Sequence, residues 1–221
     1  MNPRRSRQIH IDSIERHRAQ INAQFEKHRA QINQRFDRQR ERAEKIINSR
    51  QTDIIKAALE LLNEKGLNEL SLRDIAKKLH LQASALYWYF ESKEALIDYM
   101  AEAILSKEFD EIAPRTDDQT WQAWLINLCK RLREAMLAYP DGGRVVTGAH
   151  LYPAVTLAKI FEVSMATLTE AGLEQDYTET VILTAVHFTF GRVIEEQSGP
   201  EPNPDFWVES QFEQSLQLII H

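Results

Sequence analysis

The chain has 221 residues, a single cysteine and a net charge of −6, with 27 Lys and Arg against 33 Asp and Glu. This length is enough for one or two domains with a substantial buried core, and a lone cysteine excludes a disulfide framework and favours the reducing cytoplasm. No apolar run approaches the roughly 18 residues that a membrane span needs, and the arginine-rich start lacks the apolar core of a signal peptide. We therefore expect a cytoplasmic protein without membrane contacts.

The charge is distributed unevenly along the chain. Residues 1–50 contain 13 Lys and Arg against 6 Asp and Glu, a net +7, which leaves −13 for the remainder. Neither Gly nor Pro occurs between Arg4 and Lys65, so no residue there breaks a helix. Residues 17–27 and 28–38 form an 11-residue repeat, whose period is close to three α-helical turns and places the apolar positions in one narrow stripe. The pattern predicts a basic helical extension over residues 1–50 that continues into the next helix.

The role of this extension has several interpretations. A helix this polar requires a partner for its narrow stripe. It could add contacts within a dimer, form a basic arm that binds nucleic-acid phosphates, or dock another protein through residues 10–50. In a different class of hypothesis the chain is a coiled-coil scaffold, and the repeat is its functional part.

Residues 51–98, called the reader below, have the pattern of a helix-turn-helix. Gly66 is placed to end the first helix, and Ser71 is a plausible N-cap for the second. Ile75 and Leu79 lie on the buried face of that second helix, and a three-residue turn follows. The next helix opens with small side chains, as expected for a helix that approaches base edges in the major groove.

Residues 99–221, called the body below, show only helical periodicity, so we predict an all-α fold. A helix from Ser92 to about Ile112 links reader and body and is stopped by Ala113-Pro114. The segment Tyr139–Gly143 is a strong turn signal. The remaining predicted elements are a helix opened by Asp117 and Asp118, a short turn of helix within 144–153, helices at about 154–171 and 176–197, a loop over 198–204, and a helix from about 205 to the end.

Several motifs carry a resemblance to a known family. The reader segments closely resemble the DNA-binding domain of TetR-family transcriptional repressors, and the body segments are similar to the C-terminal domain of the tetracycline repressors. The resemblance implies a homodimeric, ligand-responsive repressor, and not an enzyme, that binds a palindromic DNA operator and dimerises through its C-terminal helices. The motifs are Leu72–Ala76, Leu86–Phe90 and Ser92–Leu96 in the reader, and Trp121–Leu125, Tyr139–Val145 and Ala185–Gln197 in the body.

Matching positions of the family imply the DNA-contacting residues. Arg73 would bridge guanine O6 and N7, and Gln82 would pair with adenine. Tyr87 and Lys93 would clamp phosphates, which position the helix without specifying sequence. The family often has proline and threonine after the glutamine, so the alanines of this chain leave the operator bases open. Tyr89 is expected to pack partly within the protein and to contact the DNA backbone in part. The DNA-binding candidates are Arg73, Gln82, Ala83, Ser84, Ala85, Tyr87, Trp88 and Lys93.

The same resemblance predicts an altered effector site. Tetracycline repressors hold a drug–magnesium chelate through polar groups, whereas Phe109, Leu128, Val146 and Ala149 stand at four matching positions here. These side chains cannot order a hydrated magnesium ion, which needs oxygen ligands. We therefore expect no metal or other cofactor, and a small, largely hydrophobic effector with one or two polar handles. The effector-binding candidates are Phe109, Trp124, Leu128, Leu132, Val146, His150, His187, Thr189 and Glu195.

An enzyme is the remaining alternative. His187 and Glu195 lie eight residues apart, near one helix face, and His150 could join them in a metal or acid–base site. No nucleophile elbow, phosphate-binding glycine loop or HExxH segment accompanies them.

Overall fold

The computed structural model describes Lys27, residues 29–32, 34–35, 49–150, 155–198 and 209–220. Within these residues the secondary structure is helical throughout, so the predicted all-α fold is confirmed. No helix in the described ranges is long and apolar enough to cross a bilayer. The helices are α1 (Ser49–Glu69), α2 (Leu72–Lys78), α3 (Ala83–Leu86), α4 (Lys93–Phe109), α5 (Trp121–Leu137), α6 (Gly142–Thr147), α7 (Val155–Glu170), α8 (Gln175–Ser198) and α9 (Glu209–Ile219).

The reader forms where local sequence signals predict it. Gly66 interrupts α1 with a φ of 74°, a backbone conformation that suits glycine. The Ser71 hydroxyl accepts the Asp74 backbone N–H at 3.2 Å and caps α2, and the Ser92 hydroxyl caps α4 in the same way. His80, with a φ of 55°, lies in the tight turn between α2 and α3. One apolar core joins α1 to α4, formed by Ile54, Ala58, Leu62, Ile75, Leu86, Phe90 and Leu96.

The continuous helix predicted from the extension into α1 lies largely outside the described residues. The predicted loop over 198–204 also lies outside them, apart from Ser198, which ends α8. The predicted domain boundary at residue 98 falls inside α4, which begins in the reader and ends in the body.

Two predicted helix starts in the body are wrong. The helix expected to open at Asp117 and Asp118 begins at Trp121, because the Thr120 hydroxyl accepts the Ala123 N–H at 3.2 Å and supplies the cap. Asp118 lies in the preceding turn, where hydrogen bonds from Thr116 and the backbone lower the pKa of its carboxyl.

The short helix α6 was expected within 144–153 and instead begins at Gly142. A Cβ at Gly142 would lie 2.1 Å from the Met136 carbonyl oxygen, so a larger residue does not fit against the end of α5. This tertiary contact explains why a glycine pair that signals a turn in the sequence is built into a helix.

The body packs α5 against α8, with α9 lying against both and α7 against α4 and α8. Cys129 is fully buried between these helices, and burial raises the pKa of its thiol to about 12. Glu196 on α8 bonds to Arg133 on α5 and to Arg192 one turn earlier, each at 2.8 Å. The Arg133 guanidinium also lies 5.3 Å from the centre of the Phe212 ring on α9. This cluster joins the three helices around the apolar core.

Candidate DNA interface and effector site

The turn before α3 holds the recognition segment in a fixed position. The Leu81 N–H donates to the Ala76 carbonyl at 2.8 Å, which closes the turn after α2. Gln82 precedes α3 in an extended conformation, and Leu86 and Phe90 anchor the segment in the core. A four-residue helix has little intrinsic stability, so its orientation depends on these two buried side chains.

Most of the predicted DNA-contacting side chains lie at the surface around α2 and α3. Trp88 is 89% exposed and Tyr87 is 58% exposed, which is unusual for large aromatic groups on a folded surface. Arg73, Gln82 and Ser84 are exposed as well, whereas Ala83, Ala85 and Tyr89 are half-buried. The exposed aromatic rings and the exposed polar side chains lie on α2, on α3 and in the segment directly after it. The surface therefore offers the hydrogen-bonding and apolar groups that contact phosphates and base edges in duplex DNA.

Ion pairs between α2 and α1 fix these two helices to each other. The Lys65 ammonium donates to the Asp74 carboxylate at 2.7 Å, and this bond, with a second from Ser71, lowers the pKa of Asp74. The Lys78 ammonium pairs with Glu64 at 2.7 Å and Glu60 at 3.0 Å, which raises the pKa of Lys78. Arg73 and Lys77, in contrast, are exposed on α2.

A polar junction between reader and body was missed in the sequence. The Asp141 carboxylate accepts the Leu67 backbone N–H at 2.8 Å, and the Arg144 guanidinium donates to Asn68 at 3.0 Å and to Asp141 at 3.0 Å. A Cβ at Gly66 would lie 3.0 Å from the same carboxylate. Lys93, predicted to bind phosphate, approaches the Leu67 carbonyl at 3.5 Å. The start of α6 is therefore bonded directly to the last residues of α1, which follow its interruption at Gly66.

The apolar effector candidates lie in the core of the body. Trp124 and Leu128 on α5 are buried, and the indole N–H of Trp124 donates to the Ala113 carbonyl at 3.1 Å. Phe109 lies at the end of α4, with the Arg131 guanidinium 4.8 Å from its ring centre. Leu132 and Val146 are fully buried in the same cluster. The structure thus brings the five apolar candidates into one core between α4, α5 and α6.

The polar candidates are dispersed by comparison. The Thr189 side chain is buried and donates to the Ala185 carbonyl of its own helix at 2.8 Å. His187 and Glu195 lie on the exposed face of α8. The His150 side chain is 74% exposed and lies 3.3 Å from the Asp98 carboxylate. Within the described residues, no group of three or more His, Cys, Asp or Glu side chains is arranged to hold a metal ion.

Two carboxylates of α4 hold the segment that follows α6. Asp98 accepts the His150 backbone N–H at 2.8 Å, in addition to its contact with the imidazole. One turn further, Glu102 accepts both the backbone N–H and the hydroxyl of Thr156, each at 2.8 Å. Since α4 also enters the reader, these bonds and the Asp141 junction connect the body to the reader at several points.

A helix-turn-helix with an exposed recognition segment, joined by a shared helix to an all-helical body, defines a DNA-binding regulator. Two family models match the chain: "Bacterial regulatory proteins, tetR family" over residues 54–100 and "Tetracyclin repressor-like, C-terminal domain" over residues 113–218. The chain belongs to the TetR family, as the sequence motifs indicated. Members of this family are regulatory proteins, which confirms the expectation that the chain is not an enzyme.

Individual relatives agree with this assignment. The class A tetracycline repressor from transposon 1721 of Escherichia coli is 39% identical over 146 residues, which are 66% of this chain and 66% of that repressor. The match therefore spans slightly less than two thirds of the relative's length. A TetR variant from Acinetobacter baumannii AYE in complex with minocycline is 30% identical with a TM-score of 0.66, covering 76% of this chain and 92% of that one. BioQ with its double-stranded DNA operator is 27% identical with a TM-score of 0.63, covering 77% and 94%.

Proposed function

We propose that this chain is a ligand-responsive, homodimeric transcriptional repressor that binds a palindromic operator and is released by a small, largely hydrophobic effector. The observation that carries the proposal is the pairing of an exposed recognition segment around α3 with a body bonded to the reader through α4 and α6. Through this connection a ligand bound in the body can change the position of the reader. This requires that the ligand binds with different affinity to two arrangements of reader and body. The similarity to BioQ, solved with its operator, supports the DNA-binding part.

The exposed face of α8 supports a dimer through the C-terminal helices. Tyr177, Thr180, Thr184, His187 and Gly191 follow one another at three- and four-residue intervals and all are exposed. A Cβ at Gly191 would meet no atom within 4 Å, so a second copy could approach the backbone closely there. Leu218 on neighbouring α9 is 81% exposed. In this proposal His187 and Glu195 would lie at or beside the subunit interface.

Operator selection from a random DNA pool tests the reader. The full chain is expected to recover a palindrome whose half-sites lie about 34 to 36 Å apart, because two recognition segments related by a twofold axis must enter successive major grooves. Arg73→Ala should weaken binding by about 1 to 3 kcal/mol and relax one position of each half-site. Lys107→Ala, which removes an exposed cation of α4, serves as the control. Recovery of no palindrome, or unchanged base preference in Arg73→Ala, would count against these assignments.

The effector class is tested by thermal unfolding with a panel of compounds. An apolar ligand with one polar group, at about 100 times its Kd, should add about 2.7 kcal/mol of stability. Tetracycline with magnesium should leave the transition unchanged, since Leu128 and Val146 provide no oxygen ligands. Leu128→Arg should abolish the response to the apolar ligand. A stabilising effect of tetracycline with magnesium would contradict the proposed effector class.

A further inference from the structure

The described part of the N-terminal extension contacts the body. Lys27, residues 29–32 and residues 34–35 are helical. The Arg29 guanidinium lies 3.8 Å from the Glu170 carboxylate at the end of α7, and the two side chains are only 25% and 33% exposed. Ile32, three residues further along the helix, is half-buried, whereas Ala30 and Gln31 are exposed. Positions three apart share a helix face, so the face bearing Arg29 and Ile32 is turned toward the body.

The charges of the two partners are complementary. Residues 27–35 contain three Lys and Arg and no Asp or Glu, whereas residues 170–179 contain four Asp and Glu and no Lys or Arg. Glu170, Glu174, Asp176 and Glu179 are all exposed at this corner between α7 and α8. The last turn of α7 also has no basic residue of its own, and the carboxyl end of a helix attracts cations. Arg29 therefore places a cation beside a carboxylate in the last turn of α7.

We infer that the described residues between Lys27 and Arg35 form a strut, which docks on the acidic corner of residues 170–179 through the face that bears Arg29 and Ile32. Residues 36–48 connect the strut to α1, so the docked strut keeps the start of α1 within the reach of 13 extended residues, about 45 Å, of the acidic corner. The charge of Arg29 is directed at the body and not at DNA phosphates.

Hydrogen exchange of the full chain, without DNA or ligand, tests the docking. Arg29→Glu and Glu170→Arg should each increase exchange of amides in residues 27–35 about fivefold, because each places like charges together on a partly exposed pair. The double exchange, Arg29→Glu with Glu170→Arg, should restore protection. Glu134→Arg, an exposed position of α5, should have no effect. Equal exchange in wild type and both single variants would overturn the strut.

Salt-dependent binding to a random-sequence duplex separates the strut from a DNA arm. In the full chain with Arg29 changed to Gln, the slope of log affinity against log salt should match that of the wild type. An arm that contacts phosphates would instead flatten this slope by about one unit for each lost contact, and that result would overturn the inference. Neither measurement needs the operator or the effector, so their outcomes are independent of the proposed repressor function.

Discussion

Replacing Leu86 with alanine is expected to abolish operator binding and to lower the free energy of unfolding of the reader by about 2 to 5 kcal/mol. Leu86 is fully buried and is the one residue of α3 that enters the core. A helix of four residues gains almost nothing from its own hydrogen bonds. Truncation removes buried apolar area and leaves a cavity beneath the recognition segment, so the exposed groups on α3 lose their fixed orientation.

The two consequences of Leu86→Ala are measured separately. Denaturant unfolding gives the stability change, and hydrogen exchange of residues 82–90 reports the local loosening around α3. Glu134→Ala is the control, because it truncates an exposed side chain of α5, outside the reader and the proposed dimer surface, and should alter stability by less than about 0.5 kcal/mol. Unfolding of Leu86→Ala at the wild-type midpoint, with operator affinity retained, would show that α3 does not depend on this anchor.

The helix ends that could be predicted are those marked by residues at the ends themselves. Ser71 and Ser92 cap their helices as predicted through their hydroxyl groups, and Gly66 breaks α1 three residues before its end at Glu69. The predicted start of α5 is wrong because Thr120, and not Asp117 or Asp118, supplies its N-cap. The predicted start of α6 is wrong because it depends on the close approach of Gly142 to the Met136 carbonyl. A contact with the preceding helix leaves no periodic trace in the sequence.

The polar connections between reader and body were not predictable for a related reason. Asp141 and Leu67 are 74 residues apart, and Asp98 and His150 are 52 apart. Their side chains show no periodicity that identifies a partner, and Asp98 and Asp141 look like surface carboxylates in the sequence. Helix geometry also separates Thr189 from His187, because residues two apart point in nearly opposite directions. One of the two predicted polar contacts is consequently buried within the subunit and the other faces outward.

The largest electrostatic effect is expected from Glu196→Gln, which should lower the free energy of unfolding by about 3 to 5 kcal/mol. The Glu196 side chain is 8% exposed and bonds to Arg133 and Arg192, whose side chains are nearly as buried. Glutamine keeps the shape but removes the charge that balances two guanidinium groups in a poorly hydrated position. Glu134→Gln, at an exposed position of α5, should change stability by less than about 0.5 kcal/mol.

Replacing all three charged residues of the Glu196 cluster by apolar residues identifies why Glu196→Gln loses stability. A buried ion cluster is costly to desolvate, so the triple variant Arg133→Met, Arg192→Met, Glu196→Leu should be far more stable than Glu196→Gln and near the wild type. Denaturant midpoints of the three proteins measure this order. Equal destabilisation of the single and triple variants would instead mean that the cluster stabilises the native state outright. Because Arg133 also lies over Phe212, the triple variant should loosen α9, and with it the proposed dimer surface, even where global stability is retained.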